Sequence, residues 1–357
     1  MCPHCQQKMT VDHRQPSSPQ DGSSNFGHPL VVSVVMPSFN SSTTIRASLG
    51  SLMNQDLGQA YEVIVVDSSS DDTPTIIECE FPSVRLIHRT HRTDPGMARN
   101  LGVGIARGEI IACLDSDCIA PSNWLSTLVA AHQVGHRIVG GSVKNGNPST
   151  LISWAGYMGE FREFLPVGEA KLVDHVATCN VSYHRSIFER YGGFPPDAYP
   201  QEDVVYHARL AQQGLRIWFD PAMGVEHMHR TNWRDYLRHS RRIGRITPKV
   251  ILLTGREGTR LASSRWLSLV AAPLLPLVKW VRTIGVFWRQ QPEILRDYPL
   301  ALVPFLIGLF IWSAGFVEGV WACHKAHLIT SVGATSGEGA TDQRAETRGA
   351  ADGCQTI

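Results

Sequence analysis

The sequence predicts an α/β fold, a mixed sheet flanked by helices, followed by helices of a different character. Three observations predict it. Short β-branched runs alternate with segments of helical period from Leu30 onward. Two of those runs end directly on an aspartate, at Asp67 and at Asp115. After Arg230 the chain turns first strongly basic and then apolar.

Residues 1–29 are rich in Ser, Gln, Pro, Asp and His without an apolar period, and read as a disordered tail. Their Cys2-x-x-Cys5 pair has no second pair at zinc-finger spacing, so no metal is assigned to it. No apolar core of a signal sequence follows Met1, so a secretory signal is not expected. Order is expected from Leu30. Val31–Met36 is a strand closed by Pro37. Ile45, Leu49, Leu52 and Met53 recur at helical spacing after the capping candidates Ser41 to Thr44. Glu62–Val66 is the second strand and Val84–His88 the third. Gly96–Ala106 reads as a helix, Ile110–Leu114 as a fourth strand, and Pro121–His132 as a further helix. Such alternation implies βαβ units and a largely parallel sheet. Ligands of open α/β sheets sit beyond the carboxyl ends of the strands, which singles out Asp67 and the Asp115–Asp117 pair.

Charge narrows the function classes. Lys and Arg number 33 against 32 Asp and Glu, a net +1, which disfavours a globally basic nucleic-acid binder and an acidic solvating protein. The eight cysteines are scattered, as in a protein of a reducing compartment.

Asp115-Ser116-Asp117 puts two carboxylates at one strand end. They repel unless a cation or donor groups share them. A divalent metal holding a diphosphate is the natural sharer; a polar turn is the plain alternative. Other motifs surround the pair: Pro37-Ser-Phe-Asn40, Val65-Val-Asp-Ser-Ser-Ser-Asp-Asp-Thr73, Gly96 to Glu109 with Arg99-Asn100, and Gln201-Glu-Asp203. In that order, over about residues 31–245, they resemble the family 2 glycosyltransferases, which have the GT-A fold of nucleotide-diphospho-sugar transferases.

The resemblance implies roles. Pro37, Phe39 and Asn40 would line the nucleotide pocket, and Asp67 would meet the base or ribose. Arg99 and Asn100 would lie beside the diphosphate. Asp115, Ser116 and Asp117 would form the D-x-D, with Asp115 and Asp117 toward Mg2+ or Mn2+. Asp203, beside Glu202, resembles the catalytic base, and Cys179-Asn180 the acceptor wall. His227 and His229 resemble the late histidine that completes a metal shell. Asp67 is followed by Ser68-Ser-Ser70 where many members carry a second acid, which leaves the nucleotide base open. The residue types suit the chemistry: a carboxylate takes the acceptor hydroxyl proton, while a metal and an arginine neutralise the departing diphosphate. Asp203 has a competing reading as the cap of the helix through Val204–Leu210, and the two histidines as a surface pair at strand spacing.

Between Arg230 and Arg265 ten Lys and Arg face only Asp235 and Glu257, a local excess of eight positive charges. Arg234, Arg238, Arg241, Arg242, Arg245 and Lys249 stack along one helix face beside Trp233 and Tyr236, as suits an anionic membrane surface or the phosphate of a lipid-linked acceptor. Tyr298–Val317 runs 20 residues without a charge, long enough to span a bilayer. Trp266–Trp288 is apolar but holds Lys279, Arg282, Pro273 and Pro276, and reads as interfacial or kinked. A helical hairpin entering from one side is the expected topology, with two crossings next. The catalytic part should face the cytoplasm, where nucleotide sugars are made, and the basic segment agrees with the positive-inside tendency.

The expected organisation is therefore a tail at 1–29, a GT-A catalytic domain at 30–230 and a basic interfacial helix region at 231–265. Membrane-associating apolar helices at 266–323 and a second disordered tail at 324–357 follow. The expected activity is metal-dependent, inverting sugar transfer from a nucleotide-diphosphate donor to a lipid-linked or polysaccharide acceptor. Two rivals remain: a sugar nucleotidyltransferase, for which no Gly-rich phosphate loop stands near the start, and a non-catalytic membrane-bound nucleotide- or sugar-binding protein. A dehydrogenase is weaker still, because no G-x-G-x-x-G follows the first strand.

Overall fold

The computed structural model describes residues 30–335, with side chains through His324. The Cys2/Cys5 pair, the first tail and the stretch 336–357 lie outside the described residues.

The first half alternates as expected: β1 (Val32–Ser38), α1 (Ile45–Met53), β2 (Tyr61–Asp67), α2 (Thr73–Glu80), β3 (Arg85–His88), α3 (Pro95–Ile105) and β4 (Ile110–Leu114). Then come β5 (Cys118–Ile119), α4 (Trp124–Gln133), β6 (Ile138–Asn145), α5 (Leu151–Glu160), β7 (Lys171–Val173), β8 (Asn180–His184), α6 (Ser186–Tyr191), α7 (Glu202–Gln212) and β9 (Ile217–His227). These strands make one nine-stranded sheet in the order β3-β2-β1-β4-β8-β6-β9-β5, with β7 beside β9. β1, β2, β3 and β4 are mutually parallel, whereas β8 runs antiparallel to both β4 and β6. The sheet is mixed for that reason. Every residue of β1 is buried, which explains why Val32, Val34, Val35 and Met36 are apolar on both faces of the sheet, with Ser33 bonded to Glu62, and why the strand does not alternate.

The chain leaves β1 toward β2 and β3, then crosses back to place β4 on the other side of β1. That reversal opens a crevice at the carboxyl ends of β1 and β4. The Oγ atoms of Ser41 and Ser116 bond across it at 2.8 Å.

Beyond the sheet lie α8 (Trp233–Thr254), α9 (Thr259–Ser263), α10 (Arg265–Ala271), α11 (Leu275–Gln290), α12 (Pro292–Asp297), a 3-10 turn at Pro299–Ala301 and α13 (Leu302–Thr335). α8 and α13 pack backbone to backbone. A Cβ on Gly244 would lie 2.0 Å from the Trp312 carbonyl oxygen, and one on Gly319 would lie 2.1 Å from that of Arg245. Glycine is therefore the residue that permits this approach, as in close helix pairs generally. Phe287, Phe305 and Leu309 join the same apolar core as the sheet, so the apolar region is packed onto it.

One face stays uncovered. Trp266, Val270, Leu274, Val281 and Trp288 are exposed on α10, α11 and the turn between them. Among the described residues Pro299–His324 is the one helix long and apolar enough to cross a membrane, with half of its most apolar window buried against the rest of the chain. α10 and α11 are bent by 59°, the kink that Pro273 and Pro276 lead one to expect. The tail expected from residue 324 is helical as far as Thr335, because α13 continues past the apolar run.

Candidate active site

A cleft of about 610 Å³ opens at the carboxyl ends of β1 and β4, a size suited to a nucleotide-sized ligand. Pro37, Phe39, Arg99, Asp115, Ser116, Asp117, Cys179, Glu202, Asp203 and His227 line it.

Arg99 is its organising residue. Its side chain is 2% exposed and bonds two carboxylates, Asp115 Oδ1 at 2.5 Å and Glu202 Oε1 at 3.0 Å. Local packing puts it there. A Cβ on Gly102 would sit 2.4 Å from Val35, so α3 presses directly on β1, and one on Gly96 would sit 2.8 Å from Glu202. Burial opposes the charge on Arg99, but Asp115 and then Glu202 outweigh it and raise its pKa. The cation is thus permanent, and it ties the turn after β4 to the start of α7.

Glu202 and Asp203 open α7, where the helix dipole favours carboxylates. The residue at the capping position is Gln201, so Asp203 lies inside the first turn and does not cap it. Its Oδ1 accepts from the Val204 N–H at 2.8 Å, and the Thr178 backbone also reaches the carboxylate. Burial pushes Asp203 up to about 6 despite those bonds. Burial likewise pushes Glu202 up to about 7, against the pull of Arg99, and leaves its Oε2 without a hydrogen-bond partner.

On the opposite wall His227 Nε2 stands 3.6 Å from Asp117 Oδ1. Ligand atoms of Asp117, Cys118 and His227 all lie within 4.8 Å of one another, a cluster that could hold a cation. A carboxylate oxygen and an imidazole nitrogen fit a hard or borderline divalent ion. Burial pushes the Cys118 thiol well up, and its soft sulfur matches a hard divalent ion less well than the carboxylate and imidazole do. Asp115 is not in this cluster, because Arg99 holds it. His229 is not in it either: it is buried edge-on to Tyr157 and Phe161, and neither ring nitrogen has a partner.

Four other expected residues stand behind the cleft. Asn40 accepts from the Ser70 N–H at 2.9 Å and its own N–H donates to Ser69 Oγ at 2.7 Å, closing the β1 and β2 loops together. Asp67 is fully buried, paired with His88 Nδ1 at 2.8 Å. Asn100 clasps the Phe194 backbone through both N–H and C=O at 2.8 Å. Asn180 joins three strands and α4, taking the Trp124 indole N–H and donating to Ser142 and Met223 carbonyls. All four hold the loops that shape the site.

The cleft also gains residues that sequence patterns do not single out. Glu160, at the end of α5, pairs with His239 at 3.3 Å and Arg230 at 3.7 Å; these hold it ionised against burial, below the usual carboxylate range. Arg92 stacks on Phe39, 4.5 Å from its ring centre. Arg242, Arg256, Lys279 and Trp312 extend the cleft toward the apolar helices. The single signal for them in the sequence is the basic excess after Arg230.

Residues 33–192 match the family model described as Glycosyl transferase family 2. Over that stretch the chain resembles this family. The chain is 28% identical over 241 residues to the pre-mycofactocin glycosyltransferase of Mycobacterium tuberculosis, covering 64% of this chain and 47% of that one. It is 30% identical over 132 residues to the GalNAc(5)-diNAcBac-PP-undecaprenol beta-1,3-glucosyltransferase of Campylobacter jejuni, covering 35% and 43%. The matched stretches span about half the length of these relatives. Among solved structures, the mannosyltransferase PcManGT of Pyrobaculum calidifontis, in complex with GDP-Man and Mn2+, superposes with a TM-score of 0.53 at 20% identity, over 83% of this chain and 88% of that one. The chain shares that structure's fold, a GT-A fold.

Proposed function

We propose that this transferase moves a sugar, with inversion, from a nucleotide-diphosphate donor to a lipid-linked or polysaccharide acceptor. Mg2+ or Mn2+ is its expected metal. The observation that carries the reading is the joining of Asp115 and Glu202 by Arg99 in one cleft, with Asp117 and His227 on one wall and Asp203 beside Glu202.

The roles follow from the chemistry. Pro37 and Phe39 border the cleft at the end of β1, where a nucleoside would lie, and Arg92 over Phe39 adds a cation there. Asp117 and His227 would hold the divalent ion, which when bound supplies neutralising charge to the departing diphosphate. Arg99 keeps Asp115 and Glu202 in fixed places, and its own charge sits beside the diphosphate site. Asp203, up at about 6, is deprotonated at neutral pH and still basic enough to take the acceptor hydroxyl proton. Cys179 would border the acceptor.

The exposed apolar face of α10 and α11, beside the long apolar α13, suits attachment to a membrane with the cleft on its cytoplasmic side. The Campylobacter relative's lipid-linked acceptor agrees with this. A thermal-shift screen of nucleoside diphosphates with Mn2+ tests the reading. At least one should raise the melting temperature only when the metal is present. Flat responses to all of them would overturn it.

A further inference from the structure

The ion-binding wall holds one residue that a hard metal does not need. Cys118 opens β5, and its partner across the antiparallel ladder is His227 on β9, so the two side chains leave the sheet on the same face. Asp117 precedes it in the chain. The Cys118 Sγ lies 3.9 Å from Asp117 Oδ1, and the same oxygen lies 3.6 Å from His227 Nε2. One ligand atom from each of the three residues lies within 4.8 Å of the other two. The His227 side chain is 9% exposed, and its Nδ1 is buried without a hydrogen-bond partner.

The donor set and its spacing suit a thiophilic ion. A tetrahedral Zn2+, at about 2.0–2.1 Å from oxygen and nitrogen and about 2.3 Å from sulfur, sets its ligands about 3.3–3.5 Å apart. The two separations above exceed that by a few tenths of an ångström, which small side-chain rotations would close. The thiol gives up its proton to solvent as such an ion binds. Coordination number then separates the ions. A six-coordinate Mn2+ held by Asp117 and His227 keeps four positions, and the two oxygens of a diphosphate need two of them. A four-coordinate Zn2+ held by three side chains keeps only one.

We propose that Asp117, Cys118 and His227 form a three-ligand site for a thiophilic divalent ion, Zn2+ foremost, and that this ion inhibits by closing the cleft to a nucleoside diphosphate. The inhibition rests on the transferase reading; the site itself rests on the three side chains alone. Cys118 is then the residue that sets which ions switch the cleft off.

Cobalt reports the sulfur directly, because a thiolate bound to Co2+ gives an intense charge-transfer band in the near ultraviolet. The full chain carrying Cys2→Ser and Cys5→Ser, which remove the C-x-x-C pair, would be titrated with CoCl2 and then with ZnCl2. The expected result is a band that saturates at one Co2+ per chain, is bleached by Zn2+ and falls at least tenfold in Cys118→Ser. No band, or a band unchanged in Cys118→Ser, would overturn the proposal. Zn2+ outbinds Mn2+ at most sites, so calorimetry compares the two proteins: the ratio of Zn2+ to Mn2+ affinity should be at least tenfold lower in Cys118→Ser. With Zn2+ the parent should bind UDP and GDP at least tenfold more weakly than with Mn2+. Equal nucleotide affinity with both ions would also overturn the proposal. The parent's band and this contrast need no substitution at Cys118, so they decide the matter even where Cys118→Ser does not fold. If neither UDP nor GDP binds with Mn2+ while the cobalt band requires Cys118, the thiophilic site stands and the donor reading fails.

Discussion

Arg99 Nη1 donates to Glu202 Oε1 at 3.0 Å, joining α3 to the start of α7 across 103 residues of sequence. The same guanidinium holds Asp115 after β4. One buried cation therefore fixes the distance between the loop that bears Asp117 and the helix that bears Asp203. The two sides of the cleft are set relative to each other by a single side chain.

Removing that cation leaves Glu202 and Asp115 without their shared partner in a water-poor site. Breaking a buried pair from one side costs about 3–5 kcal/mol. Arg99→Met should lose stability on that scale in urea unfolding and should also lose nucleotide affinity. Arg99→Lys, which keeps charge but not the fork, should fall between. A Met variant as stable as the parent would show that the two contacts contribute nothing net.

The raised pKa of Asp203 has consequences of opposite sign for activity and stability. With Asp203 as the proposed base, kcat should fall about tenfold per pH unit below pH 6. For stability, the folded value of about 6 lies above the ordinary 3.8. The folded state keeps a proton that the unfolded chain loses in that window. The group's favourable contribution is thus full below pH 3.8 and is lost as pH rises through about 6. Asp203→Asn should be more stable than the parent by roughly 1–3 kcal/mol at pH 8. The difference should vanish near pH 4. Parallel unfolding curves at the two pH values check this; a constant difference would contradict it.

Asp117→Asn and His227→Ala should each raise the Mn2+ concentration for half-maximal activity at least tenfold, since each removes one of few ligands. His229→Ala should leave metal demand unchanged, because its ring stands outside the cluster, and should instead lose stability through a cavity against Tyr157 and Phe161. Metal titration of the three variants separates these outcomes.

Gly244→Leu should separate α8 from α13, because even a Cβ would meet the Trp312 carbonyl at 2.0 Å. Overpacking of this kind costs about 1–3 kcal/mol or more. Because α8 supplies Arg242 and His239 to the cleft, acceptor-dependent turnover should fall further than nucleotide affinity. Equal losses in both would mean that α8 acts only as a support.

The alternation of buried strands and helices through Leu114 was legible because each element carries its own period and stop signal. Asp115 and Asp117 were legible because they follow a strand directly. Two things were not. Which of the expected polar residues face the cleft depends on a half-turn of rotation: Asn100 follows Arg99 by one residue, yet clasps Phe194 behind the site. The far arm of the cleft depends on contacts between distant helices. Lys279 reads in sequence as a flaw in an apolar run, and acquires meaning only from Trp312 beside it. The basic stretch after Arg230 showed its charge in the sequence. That Arg234, Arg238, Arg241 and Arg245 face outward while Arg242 enters the cleft emerges from the packing of α8 on α13.

The most direct test of the account is turnover of the nucleotide-sugar donor that the binding screen selects. Release of nucleoside diphosphate would be followed for the parent and for Asp203→Asn, with and without Mn2+. The account predicts turnover by the parent only with a divalent ion, and a loss of about 100-fold or more in Asp203→Asn at unchanged nucleotide affinity. Equal, metal-independent turnover by both proteins would contradict it.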